Sequence, residues 1–223
     1  MDTLVLDKVI GTLNSHKDEW ARLPIAEKIP LFQGVSKKTA ELAENWVAVA
    51  VNAKSIPESS PLVGEEWASG PWALIYGVES MVGTLQSLDK GKNPPIGKVR
   101  TMPSGQVIAD IFPYNIYQRL LLNGIRAEVW MQDDVTADNF TENIAKVYKS
   151  DDQSGQVSLV LGGGNIASIP PLDVLDRLFA HKSVCVLKVH PVNDYLKEIF
   201  DSIFEDFVSA GYLKIVSGDA DVG

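Results

Sequence analysis

A glycine-rich stretch that begins at residue 162 is the strongest chemical signal in this sequence. Gly162, Gly164 and Ala167 follow the pattern G-x-G-x-x-[GA], directly after an apolar run and before a helical pattern. Glycines let the backbone approach a ligand closely, and the first amides of a helix can bind an anion such as a phosphate. The same residues would also suit a tight strand-to-helix turn for steric reasons alone. The stretch therefore predicts either a phosphate or dinucleotide contact or a close-packed turn.

Two polar residues are placed to act beside this glycine stretch. Asn165 follows the last glycine, and its side-chain amide could donate to an oxyanion that develops during acyl transfer. Lys188 ends the next apolar run, where a dinucleotide-binding fold usually has an Asp or Glu that accepts from ribose hydroxyls. A lysine would instead donate to ribose oxygens or to a 2′-phosphate. The structural alternatives are an asparagine that tolerates left-handed backbone and a solvated lysine at a strand end.

The elements around these residues predict a β-α-β-α-β unit. Short apolar runs predict buried strands at 157–161, 184–187 and 213–216. One intervening helical pattern opens near Pro170, and the other covers 193–210. Crossover helices of this kind force the strands to run parallel, which gives the order of half a Rossmann-type sheet. Asn165 and Lys188 would then lie at the carboxyl edge of the sheet, where ligands bind.

The earlier part of the chain has two differently patterned regions. Residues 1–90 have helical spacing of apolar positions, and Ser36 is placed to cap the third helix among them. Residues 91–156 carry short strand patterns and turns, with a helix expected over 138–149. The predicted fold is therefore α/β. N-terminal helices and, at 91–156, a β-rich insertion or oligomerisation segment lead into a Rossmann-like parallel unit at 157–223.

Composition and charge narrow the class of protein. The 223 residues are 45% hydrophobic and 22% charged, as is typical of globular proteins. A net charge of −9 argues against binding to nucleic acid or to an anionic membrane. The single cysteine, Cys185, excludes an internal disulfide and favours a reducing compartment, so a cytoplasmic location is expected. No apolar run has the roughly 18 to 20 residues that a membrane span needs, and the histidines are too scattered for a metal site.

The turn Gly163-Gly164-Asn165 followed by Lys188 resembles the aldehyde dehydrogenase superfamily, in which a Pro-Trp-Asn turn precedes a strand-end lysine. The two residues are 23 positions apart, which is the spacing of that family. The resemblance is strongest over 157–218. The segment 18–28 is also similar to the opening helices of the family.

The resemblance implies a set of site residues and a cofactor. In this family the matching asparagine donates to the thiohemiacetal oxygen, and the matching lysine binds the adenosine ribose of NAD or NADP. The backbone before the asparagine lies beside the cofactor, and a later glycine lies near the adenine. Asn165 is therefore implied as catalytic, and the residues implied to bind the cofactor are Leu161, Gly163, Gly164, Lys188 and Gly218. An aldehyde or acyl compound is the implied substrate, and the implied assembly is a homodimer or homotetramer.

Several positions depart from the family pattern. Val189-His190-Pro191 stands where the family has Pro-Ser-Glu, so the acidic ribose ligand is missing from its usual place. Phe112-Pro113-Tyr114-Asn115 is a rival asparagine motif, but its asparagine is 73 residues from Lys188. Cys185 is unsuited to replace the family's nucleophile, because it lies in a predicted buried strand.

The sequence is thus expected to be an N-terminal part of a longer enzyme, inactive alone. The alternative is a non-catalytic nucleotide-binding or assembly module.

Overall fold

A computed structural model describes residues 3–113, 115–219 and 221–222 of the chain. These residues form two units. The first takes the residues up to Val82 and those from Asp151 onward, and the second is Gly83–Ser150. The N-terminal helices and the parallel strands thus belong to the same unit, although their sequence patterns lie in separate segments.

The chain begins with helices. They are α1 (Thr3–Arg22), α2 (Ile25–Ala53), α3 (Leu62–Trp67) and α4 (Ala73–Asp89), with a π-helical turn at Ala68–Trp72. Because α2 is continuous, the prediction that Ser36 caps a separate helix is wrong. Ser36 is buried inside α2, and its hydroxyl donates to Glu79 Oε1 of α4 at 2.6 Å. The Ser36 hydroxyl thus bonds to a residue distant in sequence, instead of capping the N-terminus of a helix.

The second unit contains an antiparallel sheet in the order β1-β2-β3. Its elements are β1 (Val99–Thr101), β2 (Val107–Phe112), α5 (Ile116–Leu121), β3 (Ala127–Trp130), a 3₁₀ turn (Phe140–Asn143) and α6 (Lys146–Lys149). The single helix expected over 138–149 is therefore wrong. Ala145 adopts left-handed backbone with φ of 54°, which interrupts a helix at that point. Val107, Ala109, Val135 and Phe140 form a small core.

The first unit contains the predicted parallel sheet, in the order β4-β5-β6. Its elements are β4 (Gln156–Leu161), α7 (Ile169–Ala180), β5 (Ser183–Lys188), a 3₁₀ turn (Pro191–Leu196), α8 (Lys197–Ile203), α9 (Glu205–Ser209) and β6 (Leu213–Val216). The β-α-β-α-β order and the α/β fold class are confirmed. The helix expected over 193–210 is broken, because Phe204, with φ of −98° and ψ of 15°, leaves the helical region.

Strand β4 is more exposed than its apolar sequence predicts. It pairs with β5 and lies at the edge of the described sheet, so only one of its sides is covered by a neighbouring strand. Leu159 and Leu161 share one face of β4 and are 55% and 57% exposed, whereas Val160 on the opposite face is 6% exposed and the residues Ser183–Leu187 of central β5 are all buried. The expectation of a fully buried first strand is therefore wrong.

Aromatic side chains join α1 and α2 to the helices that flank the parallel sheet. Trp20 of α1 is fully buried, and its Nε1 donates to the carbonyl oxygen of Leu178 at 3.2 Å. In α2, Trp46 meets Phe200 edge to face with ring centroids 5.3 Å apart. This packing holds the N-terminal helices to the sheet. No helix in the described parts of the chain is long and apolar enough to cross a membrane.

Candidate functional site

The glycine stretch lies at the carboxyl edge of the parallel sheet, between β4 and α7. The Gly162 amide donates to the Lys188 carbonyl oxygen at 3.0 Å, which continues the ladder by one residue. A Cβ at Gly162 would lie 3.1 Å from Pro170 Cγ and 3.2 Å from that carbonyl. Gly162 is therefore closely packed, as the steric alternative predicts. This contact brings the glycine turn directly beside the end of β5.

The next two glycines approach other polar groups of the same edge. A Cβ at Gly164 would lie 2.8 Å from His190 Nδ1, so any larger residue would displace the imidazole. The same Nδ1 accepts a hydrogen bond from the Val192 amide at 3.2 Å, which places the proton of the neutral ring on Nε2. Gly163 is held through its carbonyl oxygen, which accepts from Asn193 Nδ2 at 3.1 Å. His190 and Asn193 thus support the turn.

Sequence reasoning missed the supporting role of Asn193. Its side chain is 1% exposed, and its backbone amide donates to the His190 carbonyl oxygen at 2.8 Å. The only available signal was an amide side chain shortly after the second strand, next to a proline-containing turn. Asn193 ties the segment after β5 to the turn after β4, and it thereby positions the residues that follow Gly163.

Asn165 is exposed beyond this supported turn. Among the described residues its side chain has no hydrogen-bond partner, and its amide is available to a ligand. Its backbone is not left-handed, because the described non-glycine residues with positive φ are Ser55, Ala145 and Lys182. The alternative of an asparagine chosen for left-handed backbone is therefore wrong. The exposed amide group is free to donate to a developing oxyanion.

Lys188 ends β5 in register with Leu161 of β4 and Val216 of β6. The residue is half-buried, and its ammonium group forms no ion pair or side-chain hydrogen bond within the described ranges. The structure therefore brings the glycine turn, Asn165 and this unpaired cation to one edge of the sheet. Leu161, which is 57% exposed, belongs to the same edge.

Gly218 follows β6 and is closely packed. A Cβ there would lie 2.6 Å from Val222 Cβ, so a larger residue would displace Val222. The preceding residue, Ser217, donates its hydroxyl to the Asp194 carboxylate. Asp194 therefore brings an acidic group near the end of β6, although the family's acidic position is occupied by Pro191. Sequence reasoning also missed this carboxylate, because it lies outside the motif.

Two other candidate groups have structural roles. Cys185 is fully buried in β5, and burial raises the pKa of its thiol to about 12, which keeps it protonated at neutral pH. Asn115, the asparagine of the rival motif, caps α5 by accepting from the Gln118 amide at 2.9 Å. Tyr114 of that motif lies outside the described residues. No group of three or more His, Cys, Asp or Glu within the described ranges could hold a metal ion.

Comparison with known proteins finds a likeness at the level of the fold. No family model matches this sequence, and no curated protein matches it. A structure of proline utilization A has a TM-score of 0.55 and 11% identity, covering 97% of this chain and 17% of that chain. A putative methylmalonate-semialdehyde dehydrogenase from Sinorhizobium meliloti, solved with NAD, has a TM-score of 0.54 and 10% identity, covering 97% and 34%.

A 3,6-anhydro-L-galactose dehydrogenase gives a similar result, with a TM-score of 0.50 and 12% identity over 96% of this chain and 34% of that chain. The chain thus spans about a third or less of the length of these proteins. The expected α/β fold is confirmed, since these solved structures share it over nearly all of this chain. At such identities the likeness concerns the fold alone.

Proposed function

We propose that this chain is the cofactor-binding part of an NAD(P)-dependent oxidoreductase that resembles aldehyde dehydrogenases. One observation supports the proposal above the others. The glycine turn and the strand-end lysine, recognised separately in the sequence, are adjacent at one sheet edge through the hydrogen bond from Gly162 to Lys188. The substrate class is an aldehyde or an acyl compound, and the nucleophile is a cysteine outside this sequence. The buried thiol of Cys185 fits a reducing, cytoplasmic setting.

The residues at this edge fit a dinucleotide. The Lys188 ammonium, unpaired among the described residues, can donate to ribose oxygens or a 2′-phosphate, and Leu161, Gly163 and Gly164 bring the backbone of the turn to the same edge. Gly218, which follows β6, lies on the adenosine side in this proposal. When bound, NAD or NADP supplies the hydride acceptor or donor. The backbone and Lys188 bind and orient it, without a role in the bond-forming step.

Asn165 has the catalytic role in this proposal. Attack by the cysteine on the substrate carbonyl places negative charge on the carbonyl oxygen, and the side-chain amide of Asn165 donates to that oxygen. Asn193 acts through the turn, because its hydrogen bond to Gly163 sets the position from which Asn165 projects. The loss of one such oxyanion donor typically lowers kcat by about 10²- to 10³-fold.

The test compares two lysines of the same sheet in the natural protein that contains this chain. Lys188→Ala should weaken NADH or NADPH binding by about tenfold, measured by fluorescence titration, because it removes a charge-assisted hydrogen bond. Lys214→Ala is the matched control. Lys214 is also half-buried, but it lies within β6 in register with Val186, two residues before the strand end at Lys188. Equal affinity in the wild type and Lys188→Ala would contradict the proposed role.

Asn165→Ala should lower kcat and leave cofactor affinity nearly unchanged.

A second candidate function is that of an assembly module, and an exposed apolar surface in the second unit favours it. Large apolar side chains there are between 41% and 81% exposed: Ile116, Tyr117, Leu120, Leu121, Ile125, Val129 and Trp130. Such a surface suits self-association into a homodimer or homotetramer. Leu121→Glu, at the most exposed of these positions, should lower the oligomeric state measured by light scattering. A monomeric wild type would contradict this function.

A further inference from the structure

A cavity of about 750 Å³ in the second unit has a positively charged lining. Basic side chains reach it from Lys98, Arg100, Arg119 and Arg126, against two carboxylates. The whole chain carries a net charge of −9, so the lining has the opposite sign. The volume lies in the range of roughly 300–1,000 Å³ that small-molecule sites occupy.

One arginine pairs with both carboxylates of the lining. Arg100 donates to Asp110 Oδ1 at 2.5 Å and to Glu128 Oε1 at 2.6 Å. The three side chains belong to β1, β2 and β3, and each is about one-third exposed. These ion pairs therefore link the three strands of the sheet, and both carboxylates have Arg100 as their partner.

The remaining cations of the lining have no anionic partner among the described residues. Lys98, Arg119 and Arg126 form no ion pair or side-chain hydrogen bond among the residues that the structure describes. Like charges that line one cavity repel each other, and a bound anion would relieve that repulsion. The planar guanidinium groups of the two arginines match the oxygen geometry of a phosphate, to which they can donate two hydrogen bonds each.

The same cavity has apolar walls. Phe112, Leu122 and Ile125 line it alongside the cations, and a purely inorganic anion would leave these side chains in contact with water. An organic part of the ligand would cover them and add favourable burial of apolar surface. We propose that this cavity binds an organic phosphate, with the phosphoryl group on Lys98, Arg119 and Arg126 and an apolar or aromatic group against the walls.

The experiment uses phenyl phosphate as the probe, titrated by calorimetry into the whole protein at low ionic strength. Arg119→Gln combined with Arg126→Gln removes two guanidinium groups and should weaken binding by about 100-fold, since each contributes charge-assisted hydrogen bonds. The matched control, Lys90→Gln with Lys92→Gln, removes the same charge from exposed residues of the same unit that do not line the cavity. It should change the affinity less than about twofold.

Further measurements decide each part of the proposal. Inorganic phosphate should bind more weakly than phenyl phosphate, and benzoate more weakly still, because it carries less charge and fewer acceptor oxygens. Equal binding by all three probes, equal loss in both double variants, or no binding by the wild type would overturn the proposal. Arg119→Lys with Arg126→Lys keeps the charge and tests the guanidinium geometry if the glutamine variant does not fold. All these residues belong to the second unit, so failure here would leave the proposed cofactor site unaffected.

Discussion

Lys28 is a buried amine whose replacement should stabilise the protein. It belongs to α2, is 4% exposed, and has no carboxylate partner in the part of the chain that the structure describes. Burial, assisted by repulsion from Lys182, lowers the pKa of its ammonium group from 10.5 to about 8. The ammonium nitrogen lies 4.5 Å from the centre of the Trp20 ring, which offsets part of this cost.

The magnitude follows from that pKa. One pKa unit corresponds to about 1.4 kcal/mol, so keeping Lys28 charged in the folded protein costs about 3 kcal/mol at pH 7. The contact with Trp20 returns about 1 kcal/mol, which leaves a net cost of about 2 kcal/mol. Lys28→Met keeps an unbranched side chain of similar length. It should therefore raise the free energy of unfolding by about 2 kcal/mol at pH 7.

The pH dependence has a definite sign. The unfolded chain binds the proton more tightly than the folded protein, so stability rises with pH where only the unfolded form is still protonated. The cost of the charged Lys28 is full below about pH 8 and is lost as the pH approaches 10.5. The advantage of Lys28→Met should accordingly shrink across this interval.

Urea unfolding followed by tryptophan fluorescence, at several pH values, measures both effects. The control is Lys37→Met on the same helix, where the side chain is 77% exposed and the change should lie within about 0.5 kcal/mol. A Lys28→Met variant that is no more stable than the wild type at pH 7, or that keeps the wild-type pH slope, would refute the reasoning.

The remaining predictions concern close packing, the glycine turn and the thiol. Gly155→Ala should destabilise the protein by more than about 3 kcal/mol in urea unfolding, because a Cβ would lie 1.9 Å from a backbone carbonyl oxygen of α1. The control is Gly11→Ala within α1, where the space is open, and it should stabilise the protein by about 0.5–1 kcal/mol. Asn193→Ala should lower kcat more than cofactor affinity, because Gly163 loses its hydrogen bond, and an unchanged kcat would contradict the positioning role. Cys185 should not react with a thiol reagent at pH 8 until urea unfolds the protein, and rapid reaction of the folded protein would contradict its burial and raised pKa.

Much of the candidate site was predictable because its signals are local. The glycines of the turn, Asn165 and Lys188 each follow an apolar run, and a strand-helix-strand order places the ends of parallel strands at one edge. Apolar periodicity likewise predicted the three parallel strands and the burial of Cys185. These features depend on residues a few positions apart, so the amino-acid sequence carries them directly.

Other features depend on contacts between residues far apart in the chain, and only the tertiary structure decided them. Ser36 lies within a continuous helix and donates to Glu79 of α4 instead of capping, and one face of β4, with Leu159 and Leu161, is left exposed. Asn193 and His190, in the segment that follows β5, support the glycine turn that follows β4. No local pattern encodes which distant backbone or side chain will satisfy a polar group. The sequence by itself therefore determined which residues could do chemistry, and the packing determined what holds them in place.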